Sequence, residues 1–263
     1  RNCRNRKPQQ ARAQGYDQET GRPNARSSRT SGLRAGGTDS RYDSGNKGDG
    51  LEGRERMKIL VINGHPDKES YCQAIFQTIV ENIDLSRHEI EVINLNKENF
   101  DPVLRYGYRK RMKEDLFILR SQKLIQWADH FIFVYPIWWS SMPSLLKGWI
   151  DRVFTPGIAY SANHQGNFFW NYITGKQFKK LLKGKTADIY VTSDAPTNWY
   201  KMFSGLISIP DSYGIAVLKN AVLNHCGVKT RRISVFGQVA QNTTTAIDRQ
   251  KYLKKVSNQI NKM

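Results

Sequence analysis

Cysteine is scarce in this 263-residue sequence: Cys3, Cys72 and Cys226 are all there is. Three scattered thiols exclude a disulfide framework and a cysteine-based zinc site, and no metal site is expected. No apolar run reaches the roughly 18 residues of a membrane span, so no membrane insertion is expected. No charged-then-apolar opening ends in a small-residue cleavage site, so secretion is not expected and a reducing cytoplasm is the expected location. Large apolar residues are missing from a whole segment. Residues 1–56 contain no Ile, Val, Phe, Trp or Met, yet hold nine of the 20 glycines, with 13 basic and seven acidic residues. Such a stretch cannot bury enough apolar surface to offset the entropy of ordering it, and disorder is expected.

The first Met is Met57, and the pattern changes there to the strand-like run Lys58-Ile-Leu-Val-Ile-Asn63. Residues 1–56 therefore read as a disordered leader outside the functional domain, non-native or tag-derived; Leu51-Glu-Gly-Arg54 resembles a protease linker. A transit peptide would be Arg- and Ser-rich, but seven acids argue against it. A nucleic-acid-binding arm would use the arginines, but they are dispersed and interrupted by acids. Of the formal net charge of +18, this segment carries +6. Residues 57–263 carry the other +12, and 207 residues suit one α/β domain with a full core.

From Met57 onward the pattern alternates. Ile59–Ile62 reads as a buried parallel strand stopped by Gly64-His65-Pro66. Ser70 caps an expected helix over 71–83, with Ile75, Ile79 and Ile83 at helical spacing. Residues 89–95 alternate as a second strand, and 110–128 carry a helical stripe of Leu116, Leu119, Leu124 and Trp127. Phe131–Tyr135 is a third strand, followed by a Pro143-opened helix through Val153. Residues 155–182 form a long aromatic- and Asn-rich excursion. Residues 186–191 are a fourth strand, 215–224 a helix ended by Gly227, 233–236 a fifth strand, and 243–260 a last helix. Five strands alternating with helices predict a parallel sheet covered on both faces, whose ligands sit beyond the carboxyl ends of the strands.

Three strand-end loops are thereby singled out: 63–72, 135–142 and 192–200. The first lacks the Gly-x-Gly-x-x-Gly of a dinucleotide fingerprint and the Gly-Lys-Ser/Thr of a P-loop. It still sets a helix start beside Ser70 and His65, where unpaired amides suit a phosphate; equally, Ser70 serves as a plain N-cap and His65-Pro66 as a turn. In the second loop, the adjacent Trp138 and Trp139 cannot both point into one packed face. At least one is expected to wall a cleft for a flat ligand, or to line a subunit contact. In the third, Thr192, Ser193 and backbone amides suit the polar edge of a heterocycle, and the Tyr200 phenol suits developing negative charge; the alternative is an ordinary Asx/Pro turn. Lys176, Lys179, Lys180, Lys183 and Lys185 form a basic run, read either as attraction for a dinucleotide phosphate or as a solvated face. No Gly-x-Ser-x-Gly, His-Glu-x-x-His or Cys-x-x-Cys competes with these loops.

Taken together, these residues resemble the flavodoxin-like NAD(P)H:quinone oxidoreductase family, which includes the modulator-of-drug-activity and potassium-efflux ancillary reductases. The matching stretches are Gly64-His65-Pro66 with Ser70-Tyr71, Pro136-Ile-Trp-Trp139, and Pro143 through Phe154. They continue with Gly157-Ile-Ala-Tyr160, Leu182-Lys-Gly-Lys185, Thr192-Ser-Asp-Ala-Pro196 with Trp199-Tyr200, and His225-Cys226-Gly227. The resemblance spans about residues 57–260, and the run from Leu146 to Val153 with its flanking Trp pair is its most specific part.

The resemblance implies a doubly wound five-stranded parallel sheet in the order 2-1-3-4-5, with a flavin across the three loops. His65, Ser70, Tyr71 and Cys72 fall where the family holds the flavin phosphate. Pro136, Ile137, Trp138 and Trp139 fall at the isoalloxazine ring, and Thr192, Ser193 and Tyr200 at its pyrimidine edge. Tyr200 is the implied catalytic phenol. Trp139 and Tyr160 fall at the substrate pocket, Tyr160 often across a dimer interface. The implied cofactor is FAD by the first loop, with FMN open, and the implied co-substrate NADPH or NADH. Hydride would pass to the flavin and then to a quinone-like acceptor, in alternation. The chain departs from the pattern in three places. Thr-Ser-Asp-Ala with Pro196 replaces the more open Thr-Thr-Gly-Gly of many relatives. Leu206 stands where some have a His. Cys72 stands where many have Asn, either as a thiol of lowered pKa in a helix first turn or as a small buried filler. A homodimer without nucleic acid is expected. Two other readings remain: a flavin-bound ancillary subunit of a membrane transporter with little turnover, and a flavodoxin-like one-electron carrier, a class that is acidic where this domain is basic.

Overall fold

The apolar run after Met57 forms β1 (Met57–Asn63), in which Ile59, Leu60, Val61 and Ile62 are all fully buried. A strand buried on both faces needs cover on both, and this computed structural model, which describes residues 56–162, 178–197 and 213–263, supplies it. The strands β2 (His88–Asn94), β3 (His130–Pro136), β6 (Thr186–Thr192) and β7 (Lys229–Phe236) join β1 in one five-stranded sheet. The spatial order is β2-β1-β3-β6-β7 and every pairing is parallel. Counted along the sheet strands alone this is 2-1-3-4-5, as the resemblance implies. The period-2 alternation of side chains sorts the core into two. Leu60, Ile62, Phe131, Phe133, Ile189 and Val191 pack on one face beneath α2 (Leu116–Trp127) and α3 (Ser144–Val153). Ile59, Val61, Ile132, Val134 and Tyr190 pack on the other, beneath α1 (Tyr71–Asn82) and α5 (Ala246–Ile260).

Local chemistry sets most element ends. Ser70 caps α1, its side chain accepting from the Gln73 amide, and Thr245 with Asp248 forms a reciprocal capping box on α5. Pro143 opens α3. Helix α4 runs through Tyr213–Ala216, a π-helical stretch Val217–Leu223, and Asn224–Cys226, and ends at Gly227 with φ 96°.

Two expectations are corrected. The helix expected over 110–128 starts at Leu116, because the Asp115 carboxylate accepts from the Phe117 and Ile118 amides at 3.0 and 3.3 Å. Its fully buried residues are Ile118, Ser121 and Ile125; of the expected stripe, Leu124 and Trp127 pack partly buried against the same core, whereas Leu116 is 85% exposed. The excursion at 155–182 contains an antiparallel pair, β4 (Tyr160–Ala162) with β5 (Phe178–Lys180), which the aromatic and Asn content concealed.

Candidate functional site

The parallel sheet brings three loops to one edge, after β1, β3 and β6. The first is held in shape by its own short side chains. The Asn63 carboxamide oxygen accepts from the His65 amide at 3.1 Å, His65 Nδ1 from the Asp67 amide at 2.9 Å, and the Asp67 carboxylate from the Glu69 amide at 2.9 Å. The Ser70 hydroxyl donates to the Asp67 carbonyl and accepts from the Gln73 amide. Because Nδ1 accepts, the His65 proton sits on Nε2, a donor. Burial lowers the His65 pKa against the pull of Asp67, which favours this neutral ring. The amides of Tyr71 and Cys72, at the first turn of α1, have no intrahelical acceptor.

The second loop is a tight reversal. Trp138 and Ser141 exchange both backbone hydrogen bonds at 2.9 Å, and the two residues between them, Trp139 and Ser140, take left-handed φ of 48° and 54°. A bulky residue at such φ is strained, and the result is that Trp139 stands fully exposed while Trp138 is nearly half exposed. Trp138 turns to the first loop, its ring edge-on to His65 at 5.3 Å. Pro136 ends β3, and the buried Ile137 donates its amide to the Thr192 carbonyl at 2.8 Å. Ile137 also contacts the Gly214 position of α4, where a Cβ would come within 3.0 Å of it.

The third loop is tied to its neighbours rather than open. Thr192 and Ser193 are both buried. The Thr192 hydroxyl lies 3.3 Å from the Cys72 thiol. The Ser193 amide donates to Phe236 and its hydroxyl accepts from the Ala195 amide. Burial pushes the Cys72 thiol up to about 12, so the buried-filler reading of this residue is the one the structure supports. Tyr71 likewise points into the body: its hydroxyl donates to the Arg249 carbonyl at 2.7 Å, its ring packs on Phe236, and burial raises its pKa.

The sequence candidates thus divide into three groups. His65, Ser70, Trp138 and Trp139 stand on the loops at the strand ends. Tyr71, Cys72, Ile137, Thr192 and Ser193 form the more buried footing of these loops, with Pro136 at the strand end. Tyr160 stands apart at the amino end of the sheet, where its ring meets Phe178 and His225. Five residues separate its partner strand β5 from Thr186, the first residue of β6, which places the pair at the amino end of the sheet and away from the three loops. Tyr200, Trp199 and Leu206 lie outside the described residues. The basic run also divides. Lys185 donates to the Gln126 and Ala128 carbonyls at the end of α2, and burial lowers its pKa. Lys180 and Lys183, with Lys219 and Lys229, line a cavity of about 430 Å³ at the amino end of the sheet. Among the described residues no cluster of His, Cys, Asp or Glu is placed to hold a metal, and no helix is long and apolar enough to cross a membrane. Sequence reasoning missed Gln73 and Asn94, which meet Asn63 under the first loop, and Asn96, which bonds Gln73. The asparagines at two strand ends are visible in the sequence, but their meeting depends on the β1–β2 register.

Comparison with known proteins agrees with this architecture. The chain is 30% identical over 155 residues to the ribosyldihydronicotinamide dehydrogenase-like protein traD of Penicillium crustosum, a match covering 52% of this chain and 57% of that protein. It is 27% identical over 195 residues to the ribosyldihydronicotinamide dehydrogenase [quinone] of Mus musculus, covering 65% and 78%. Among solved structures, Smu.1420 from Streptococcus mutans superposes with a TM-score of 0.63 at 30% identity, over 79% of this chain and all of the other. An FMN-dependent NADH-azoreductase from Bacillus anthracis, in complex with FMN, superposes at 0.56 with 20% identity, over 78% and 98%, a likeness of fold. The family model for the flavodoxin-like fold matches residues 57–260, and the chain belongs to that family.

Proposed function

We propose that this protein is a flavin-dependent NAD(P)H oxidoreductase that reduces a quinone-like small molecule in two alternating half-reactions, with residues 57–263 as the flavin-binding domain and 1–56 outside it. The observation that carries this reading is the stitching together of three loops at the carboxyl ends of β1, β3 and β6. His65 meets Trp138, Ile137 bonds Thr192, and Thr192 meets Cys72. Relatives with quinone reductase activity in their names support the same reading.

The donor chemistry fits a flavin nucleotide. The start of α1 offers the Tyr71 and Cys72 amides and the His65 Nε2–H to a phosphate, and the Ser70 hydroxyl, which donates to the Asp67 carbonyl, holds the turn that presents them. Exposed Trp138 and Trp139 offer apolar walls to a flat ring. A bound flavin supplies the hydride chemistry; the protein supplies binding, orientation and electrostatics. The Ile137 backbone, fixed by Thr192, would help orient a bound ring at the end of β3. Trp139, exposed at the tip of its reversal, would offer an apolar wall beside the acceptor and keep water from that side. The Tyr200 phenol is assigned the proton-bearing donor that steadies negative charge at the polar edge of the ring, a role worth about 2.7–4 kcal/mol of barrier for a well-placed donor.

FAD is the reading by the first loop, while a solved neighbour of the same fold binds FMN. NADPH or NADH is the co-substrate. A cytoplasmic homodimer belongs to the same proposal, because Tyr160 reaches an acceptor site only from a second copy. The purified chain should be yellow, its visible band bleached by NADPH and restored by a quinone, and mass analysis of the released cofactor separates FAD from FMN. Colourless protein that neither FMN nor FAD reconstitutes would rule the function out. Flavin binding without turnover on any quinone would favour the transporter-subunit reading instead.

A further inference from the structure

We propose that Gln73 is a positioning residue for the cofactor phosphate, acting through a buried carboxamide cluster that holds the β1–α1 loop in its anion-binding shape. The proposal rests on the flavin reading above. Gln73 is the third residue of α1 and is buried. Its Oε1 accepts three side-chain amides, from Asn63 at 2.8 Å, Asn94 at 3.0 Å and Asn96 at 3.3 Å. Asn63 Nδ2 also donates to Asn94 Oδ1 at 3.0 Å. Asn63 and Asn94 are register partners at the carboxyl ends of β1 and β2, so the cluster pins the first turn of the helix to two strand ends.

Both exits from the cluster lead into the loop. Asn63 Oδ1 accepts the His65 amide, which orients the backbone of the residue proposed to face the phosphate. The Gln73 amide donates to the Ser70 hydroxyl, whose own proton goes to the Asp67 carbonyl, so this bond ties the helix start to the turn that precedes it. Gln73 is therefore held at its backbone by the cap and at its side chain by the sheet.

Two features separate positioning from simple stabilisation. First, residues 63–72 contain one cation, Lys68, flanked by Asp67 and Glu69. A phosphate there is held by neutral, directional donors, whose strength depends on their aim far more than a point charge's does. Second, the cluster is a costly way to fill space. The buried Asn63, Gln73 and Asn94 carboxamides sit where apolar side chains would pack, and the half-buried Asn96 adds an Oδ1 that is itself buried with no hydrogen-bond partner among the described residues. Directional polar clusters of this kind specify one arrangement of the backbone around them.

The test uses the full chain, freed of cofactor, with binding read by quenching of flavin fluorescence. FMN and riboflavin carry the same ring, but only FMN carries a phosphate. Gln73→Met keeps the side chain's size and removes the acceptor. It should weaken FMN by about tenfold or more while leaving riboflavin within about twofold, as expected when a supporting partner of a ligand-holding group is lost. Asn96→Leu, which removes the longest of the three bonds, should show the same selectivity on a smaller scale, and it serves if Gln73→Met does not fold. Equal weakening of FMN and riboflavin, or no change in either, overturns the assignment. Wild-type chain that binds FMN but shows one of those patterns in the variants, or that binds FAD but not FMN, sinks this inference alone; wild-type chain that binds none of FMN, FAD and riboflavin sinks the flavin reading and this inference with it.

Discussion

At Cys72 two physical effects compete. A thiol in the first turn of a helix gains from the amide dipoles, which lowers its pKa, whereas burial disfavours the thiolate. Burial wins: the thiol is pushed up to about 12 even with the Thr192 hydroxyl beside it. The buried Cys226 is pushed up to about 11, against a small pull from Lys180. In a Cys3→Ser chain at pH 8, a thiol-specific disulfide reagent should therefore find no fast-reacting group until denaturant is added, and then two. Rapid modification of one thiol in the folded chain would contradict the burial argument. The Trp pair was legible in the sequence as far as it could be: two adjacent indoles cannot share a packed face. That Trp139 is the outermost of the two follows from the left-handed reversal at Trp139 and Ser140, which no local pattern announces.

At the scale of elements, α3 shows how a loop is set. This helix follows the Trp-bearing reversal directly, so its seat on the sheet determines where that reversal stands. A glycine in mid-helix ordinarily costs stability. At Gly148 it is required, because a Cβ there would meet the Pro102 carbonyl oxygen at 2.2 Å and Pro102 Cβ at 2.5 Å. Gly148→Ala gains about 1 kcal/mol of helix propensity but forces backbone apart, so a net loss of about 1–3 kcal/mol is expected in urea denaturation. An unchanged or raised midpoint would refute the close approach. The glycine was readable in the sequence; its reason was not, since Pro102 lies 46 residues away and comes near only through the fold. The buried face of α2 was misread for a related reason. Apolar residues recur from 116 onward at several helical spacings, and only packing against the sheet selects Ile118 and Ile125 as the inner ones.

For the whole molecule, the sheet gathers a second set of polar groups at its amino end, away from the proposed cleft. His130 is fully buried, with Nδ1 2.7 Å from the Thr186 hydroxyl and Nε2 3.8 Å from Asp188, which Arg232 holds at 2.9 Å. Burial, with Arg231, Arg232 and His88 nearby, lowers the His130 pKa to about 3. The unfolded chain, with an ordinary histidine, takes up that proton near pH 6.5 while the folded one does not. Stability is therefore expected to be level above pH 6.5 and to fall toward pH 3, by up to about 1.4 kcal/mol per pH unit for this one group. The carboxyl of Asp188 is raised by burial and acts in the opposite sense: its contribution is present below its unfolded pKa and lost as pH rises through the folded one. Comparing denaturation midpoints at pH 7 and pH 4.5 should show a clear drop in the wild-type chain and a smaller one in His130→Gln. Equal slopes would place the acid sensitivity elsewhere.

Alternation, caps and breakers are local properties, and they determined from sequence alone the five parallel strands, the helices between them and the edge at which a ligand would sit. A period of two or of 3.6 residues, a Ser before a helix, a Pro or Gly after a strand each act within a few residues of themselves. Tertiary structure decided what depends on partners distant in the chain. It put Tyr160 at the far end of the sheet from the three loops, turned Tyr71 and Cys72 inward, and gathered Asn63, Gln73 and Asn94 under the β1–α1 loop. Strand register and burial produce those results, because a donor's partner and a thiol's protonation are set by what surrounds them in space.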